Sequence, residues 1–465
     1  MAFEKPGNKW LPYLVLTLSV LFIYWQALSF DFIPSWDDKE YVLDNIHIQS
    51  LSAENLKFIF TNTYFSNYAP LHLLSYSIDF AIWGLKPAGY HLTNIILHIL
   101  NACLLFTLVS RITGDRKAGF IASLIFSLHP INIENVAWIS ERKTLLTTFF
   151  SFLSIVSYLN FRDALKWRYY ILCFVLFLLA LLAKPLTVTL PLALLAYELF
   201  IKKERKGILF PFPLFLLSIL GAVMAMWAHM SHHSIEQSSL TLDVLFGTVY
   251  PTMTPIYWKY VKLIIWPMGL SGFYDAPIYG SFLDAVPAVS VIAWVSLTVL
   301  ILCKGGGQMR FWYLWFWIWL LPVSNIIPIP VYYADRYMYL PAIGFFALAG
   351  LGVSKISKAP SFEKIVYAVA AIIIVFYGAA AFSRAGVWRN EVSFWKDTAE
   401  KSPGQDKARL NLGYAYEMEG LLAEAEREYQ AAVNIYPSQE ALSNLQMIKS
   451  KIELLRQKAL QQQNP

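Results

Sequence analysis

The sequence predicts an all-α polytopic membrane protein, a bundle of about eleven transmembrane helices that ends in a soluble helical tail. Three observations carry that class. Hydrophobic residues make up 57% of the 465 and charged residues only 15%, with a mean hydropathy of +0.48. That is far more apolar surface than a soluble domain of this length can bury. Apolar runs of about twenty residues, the length that crosses a hydrocarbon core, recur along the chain. Lys and Arg then gather in alternate short loops between the runs, the asymmetry that orients membrane helices. The net charge of +6 lies mostly in those loops, so it reads as a topology signal and not as a nucleic-acid footprint. Cys103, Cys173 and Cys303 all sit inside apolar runs and read as packing residues, not as a disulfide or metal framework.

The elements follow in order. Residues 10–30 form the first run, too long for a signal-peptide core and without a small-residue cleavage site, so it reads as a retained span. Lys5 and Lys9 precede it, which predicts a cytoplasmic amino terminus and an external loop 31–70. That loop holds Asp31, Asp37, Asp38, Glu40 and Asp44, a concentration of acid that stands out in so uncharged a chain. Ser52 caps a short surface helix, and residues 70–85 are apolar but short for a span, with Asp79 inside. Further crossings are read at 89–110, 118–128, 144–161, 169–183, 186–201, 210–230, 286–303, 311–330, from 345, and at 365–382. Residues 231–283 are mixed, and the Trp and Tyr density around 257–267 reads as an interfacial belt. An odd number of crossings puts the carboxyl tail outside.

After residue 385 the chain turns charged and Ala-rich, which divides it into a transmembrane domain, 1–385, and a tail, 386–465. Leu412-Gly413, Tyr416, Gly420, Ala425, Tyr429, Ala432 and Pro437 have tetratricopeptide spacing, and Trp395 and Pro403 precede Tyr429 and Pro437 by one repeat of about 34 residues. Ala441, Leu445, Ile448 and Ile452 make the apolar stripe of a capping helix.

In combination these pieces resemble the transmembrane-and-tetratricopeptide-repeat family of GT-C glycosyltransferases, the group that includes protein O-mannosyltransferases. The likeness rests on Asp37-Asp38 in the first external loop, Pro70-Leu71, and Gly89-Tyr90-His91-Leu92 with Asn94. It is completed by His129-Pro130 with Glu134 and Val136, Arg336-Tyr337 with Tyr339-Leu340-Pro341, and the repeat units after the last span. Ala69 stands where the resembled pattern has Arg before Pro70, and the array is short beside those of the eukaryotic members.

The resemblance implies an inverting transfer of a mannose-like sugar from a polyprenyl-phosphate carrier to a hydroxyl acceptor, protein Ser or Thr, on the external face of a prokaryotic cytoplasmic membrane. An acceptor hydroxyl needs a carboxylate base, and a phosphate leaving group needs fixed positive charge. Asp37 and Asp38 are the catalytic candidates. One acts as base, while the other orients the acceptor or holds a divalent metal. A loop position predicts that either is removable at small cost in stability. Arg336 is the first candidate for the lipid phosphate, because a guanidinium forks onto phosphate oxygens, with an interfacial arginine beside Asp335 as the plain alternative. Arg142 and Lys143 come second, then His91 at the donor and His129, which reads equally as a helix-end cap. Lys184 before Pro185 reads as a snorkelling lysine, and His229, His232 and His233 lack the spacing of a metal site. Rival readings are transfer to a lipid, glycan or cell-wall polymer, or an inert membrane scaffold whose tail recruits a protein partner. A transporter would need charges inside its spans.

Overall fold

The computed structural model describes residues 9–231, 241–326, 329 and 331–463. His232 and His233, and the side chain of His229, lie outside what is described. Among the described residues the chain is helical without a strand, the one β contact being an isolated bridge between Tyr64 and Asn67.

The helices, in chain order, are α1 (Leu11–Tyr24), α2 (Ala53–Thr61), α3 (Pro70–Trp83), α4 (Pro87–Thr113), α5 (Arg116–Leu128), α6 (Ile133–Ala137), α7 (Arg142–Ala164), α8 (Trp167–Ala183), α9 (Leu190–Tyr197) and α10 (Phe212–Ser231). After them come a short α11 (Leu242–Val244), α12 (Tyr250–Ile265), α13 (Ala285–Lys304), α14 (Gly307–Leu320), α15 (Ile343–Ile356), α16 (Pro360–Ala385) and the tail helices α17 (Glu391–Lys401), α18 (Asp406–Met418), α19 (Leu422–Ile435) and α20 (Gln439–Gln463). Ten of the eleven stretches read as crossings lie mainly on helices, whereas 311–330 is helical only to Val323. Seven of the described helices are long and apolar enough to cross a membrane unaided, and an eighth arises if α5 and the segment Pro130–Ala137 count as one bent span. Trp167–Ala183 and Ile343–Ile356 are apolar but shorter.

The two ends of the bundle differ in chemistry. At one end Arg111 reaches Asn160 and Asp163, Lys202 reaches Asp163, Gln308 bonds the Ile112 carbonyl, and Ser354 bonds Asp115. The basic loops therefore meet there. Lys143 and Arg162 stand nineteen residues apart on α7, about 29 Å at 1.5 Å per residue. Lys143 thus belongs to the opposite end, with the acidic loop.

Two elements depart from the sequence reading. Residues 250–265 form helix α12, with Pro251 in its first turn and Pro255 just inside. Its aromatic side chains pack inward: Tyr260 is fully buried, and its hydroxyl accepts from the Ala334 amide at 3.2 Å. Aromatic density here reflects interior packing as much as an interface. The second concerns the boundary at 385/386, where the core does not divide. Phe394, Trp395, Ala399, Ala408 and Leu412 pack in the same cluster as the membrane helices, whereas Leu410, Ala425, Tyr429, Ala432, Ala441, Leu445 and Ile448 form a small core of their own. Within that hairpin a Cβ at Gly413 would strike the Tyr429 ring, so only glycine lets α18 and α19 approach so closely.

Candidate active site

The acidic loop leaves α1 through a 3₁₀ turn and is pinned from below by Asp38. Its Oδ2 accepts from the Ile33 amide at 2.9 Å, and its Oδ1 accepts from the Ser140 amide at 3.0 Å and the Ser140 hydroxyl at 2.5 Å. Asp38 is 1% exposed. Burial pushes its carboxyl up to about 6, while the bonds from Ile33 and Ser140 pull the other way. The expectation that either aspartate is removable at small cost is corrected here for Asp38, whose loss would strand three buried donors. Adjacent side chains diverge, and Asp37 turns the other way. It is 28% exposed, with its Oδ2 3.6 Å from Lys143 Nζ.

Lys143 opens a chain of contacts that unites three separate stretches of sequence. It lies 3.8 Å from Glu141 and 5.0 Å over the Tyr41 ring. Glu141, fully buried at the foot of α7, also receives Lys184 at 3.2 Å and Arg336 Nε at 3.8 Å, and accepts from Thr144 at 2.5 Å. Arg336 is placed by Glu134, which takes its amide at 2.9 Å and its Nη1 at 2.6 Å, and by Asn135, which donates to its carbonyl. Glu134 reaches it because the chain bends by 57° between α5 and the segment that starts at Pro130, where a proline cannot continue the helix. Lys184 stands between α8 and Pro185, 21% exposed, and burial pushes its ammonium down to about 8. Neighbouring Asp335 accepts from Tyr274 at 2.5 Å, and burial, reinforced by Glu134, raises its carboxyl.

Of the candidates read from sequence, Asp37, Lys143 and Arg336 thus share one network, with Asp38 beneath. Arg142 adjoins it but is engaged elsewhere: it pairs with buried Asp79 at 2.5 Å, bonds Asn94 at 2.8 Å and lies 4.5 Å over the Tyr76 ring. His91 is buried edge-on to Phe30. His129 accepts from the Ile131 amide and holds the Ile264 carbonyl at 2.9 Å, the bonding of a cap. Glu141 and Lys184 were not read as site residues. Their only sequence signal is position, two residues before Lys143 and directly before a helix-breaking proline. Among the described residues no three His, Cys, Asp or Glu side chains converge as a metal-holding group. The aspartate pair does not fit a divalent cation: both oxygens of Asp38 face donors, and Asp37 faces an ammonium.

The first helix of the tail closes over this loop. Glu391 accepts from the Ser35 amide at 2.5 Å and Trp395 donates to the Ser35 hydroxyl at 2.6 Å. Trp36 lies between Trp138, 5.5 Å away, and Trp395, 5.0 Å away. Farther along, Lys401, Ser402 and Gly404 bond residues 270–275.

Comparison with known proteins gives the site a context. A family model described as dolichyl-phosphate-mannose-protein mannosyltransferase matches residues 67–232. The chain is 24% identical to the human protein O-mannosyl-transferase TMTC3 over 89% of its own length and 50% of that protein's. It is also 24% identical to the Caenorhabditis elegans protein O-mannosyl-transferase F38B6.6, over 94% of this chain and 64% of that one. It spans about half to two thirds of the length of these relatives. Among solved structures it is similar to ArnT from Cupriavidus metallidurans bound to undecaprenyl phosphate, with a TM-score of 0.41, 11% identity, and coverage of 94% of this chain and 78% of that one. The Archaeoglobus fulgidus oligosaccharyltransferase, tethered with an acceptor peptide, gives a TM-score of 0.45 and 12% identity over 91% of this chain and 59% of that one. Likeness of that size is too coarse to carry any residue's role. The sequence comparisons bear out the resemblance read from the motifs: this chain is similar to protein O-mannosyl-transferases, including TMTC3.

Proposed function

We propose that this chain is a membrane glycosyltransferase that moves a sugar from a polyprenyl-phosphate carrier to a hydroxyl acceptor, with Asp37 as general base. The activity for which its relatives are named favours mannose and a protein Ser or Thr. Residues 1–385 form the transferase and 386–465 a tetratricopeptide-type tail whose first helices pack into the transferase core. The acidic-loop end is external, the amino terminus cytoplasmic and the tail external. One observation carries the reading: Asp37 is the most exposed member of a cluster in which Lys143, Lys184 and Arg336 surround Glu141.

That arrangement supports a single displacement. The acceptor hydroxyl gives its proton to Asp37 while its oxygen bonds the anomeric carbon. The bond from that carbon to the phosphate oxygen breaks, and its electron pair leaves with the polyprenyl phosphate. Attack opposite the leaving group inverts the anomeric centre. In the resting cluster three cations face the three carboxylates of Asp37, Glu134 and Glu141. Protonation of Asp37 leaves one positive charge in excess as charge builds on the departing phosphate, which Arg336 and Lys184 are suited to receive. Transfer to a lipid, glycan or wall polymer would use the same chemistry with another acceptor.

Membranes containing the full chain, given labelled polyprenyl-phosphate-mannose, test the reading, alongside glycan mass spectrometry of a deletion strain. Label should pass to protein, and a Ser- or Thr-linked hexose should vanish from the strain. An unchanged glycan profile with no transfer would overturn the proposal, and loss of a lipid-linked or polymer-linked sugar instead would reassign the acceptor.

A further inference from the structure

A second charged cleft, of about 470 Å³, lies at the opposite end of the bundle, between the segment that follows α9 and the start of α14. Its cations are Lys203, Arg205 and Arg310, and among the described residues none of them forms an ion pair. Arg310 gives one bond, to the Cys303 carbonyl at 3.2 Å, and its Nε is buried with no partner. The acids that share the cleft are already held: Arg162 takes Glu198 at 2.7 Å and Glu204 at 2.7 Å. The first turn of α14 also faces it. Gly306 supplies no side-chain cap, so the leading N–H groups lack intrahelical acceptors and carry the positive end of the helix dipole. A Cβ at Gly307 would collide with the Phe200 carbonyl and come within 3.6 Å of the Lys203 side chain. Glycine therefore lets the Phe200 backbone, and with it the segment that carries Lys203, approach that helix start.

We infer that this cleft binds the phosphate of an anionic membrane lipid. Free cations, a free helix N-terminus and a buried guanidinium nitrogen without a partner together suit a phosphate oxyanion. A lipid is favoured over a soluble phosphate because the rim is apolar. Leu199 and Leu209 are exposed beside the cleft, and the outer face of α10 continues the apolar surface with Leu216, Ile219 and Leu220. Acyl chains attached to the bound phosphate would find that surface. The cleft lies a bilayer thickness from Asp37 along α7, so the site is separate from the proposed transfer chemistry.

Native mass spectrometry of the detergent-solubilised full chain, titrated with phosphatidylglycerol, phosphatidylcholine or inorganic phosphate, tests this. Phosphatidylglycerol should bind in preference to phosphatidylcholine. Each of Lys203→Gln, Arg205→Gln and Arg310→Gln should weaken it about fivefold, the value of one basic side chain near an anionic lipid surface. Glu204→Gln, which removes one negative charge from the cleft and leaves Arg162 with Glu198 alone, should tighten it, a gain that no unfolding artefact produces. Lys355→Gln/Lys358→Gln, in another basic loop, serves as control. Equal loss in that control, no change in the cleft variants together with none in Glu204→Gln, or full displacement of the lipid by millimolar inorganic phosphate would each overturn the proposal.

Discussion

Asp38 holds the loop while Asp37, the proposed base, stays partly exposed, and substitutions at the two should separate stability from chemistry. Asp38→Ala strands the Ile33 and Ser140 amides and the Ser140 hydroxyl, at about 1–3 kcal/mol for each unsatisfied group. A lowered midpoint in thermal unfolding in detergent is the expected result. Asp37→Asn, at a partly exposed position with one long ion pair, should leave that midpoint in place and lower transfer by roughly 10²–10⁴. Full activity in Asp37→Asn would remove it as base. Lys184 adds a pH dependence. Its folded value is lowered to about 8 by burial, against an ordinary value of about 10.4. The fold therefore disfavours its charged form, and stability from this group rises as pH climbs through that window. Activity should run the other way and fall above about pH 8, as the charge facing the phosphate is lost. Lys184→Arg keeps its charge there, and its pH–rate profile should lose the alkaline limb.

Helix α17 sits on the loop that carries Asp37, and its bonds to Ser35 set how that loop is aimed. Trp395→Phe removes one bond and keeps the ring against Trp36; Glu391→Gln weakens a charge-assisted acceptor. Both should lower kcat by roughly ten- to a hundredfold through misplacement of the base while leaving donor KM in place. Lys451→Gln, which breaks only the exposed pair with Glu417, should do neither. A shift confined to KM in Trp395→Phe would show that α17 serves binding and not aim.

For the whole molecule, the shared core predicts where the chain can be cut. Removing residues 421–465 deletes α19 and α20 with their own small core and should leave donor binding intact while acceptor use falls. Removing 391–465 uncovers Trp36 and the 270–275 loop, and activity should vanish. Donor affinity and acceptor turnover, measured separately on both truncations, decide it. A reporter fused after Pro465 should be active on the external side; activity confined to the cytoplasm would detach the tail from the proposed acceptor face.

The sequence alone determined the helical class, the places where the chain turns, the basic and acidic loops and the family resemblance. These depend on local composition and period, since twenty apolar residues must be helical in lipid whatever their neighbours. It also singled out Asp37, Lys143 and Arg336 by residue type. Only the tertiary structure decided which charges are free. Arg142 and Lys143 are adjacent and alike in sequence, yet one is locked onto Asp79 and the other reaches Asp37. Glu141 and Lys184 stand 43 positions apart and read as an ordinary helix start and a snorkelling lysine until α7 and α8 fold together. The tail boundary shows the same limit: composition changes near residue 385, but Phe394 and Trp395 bury themselves against the loop beside Asp37. A side chain's charge is written in its residue type, whereas its partner is set by packing between segments far apart in the chain, and that packing decides whether a charge holds the fold or remains free for chemistry.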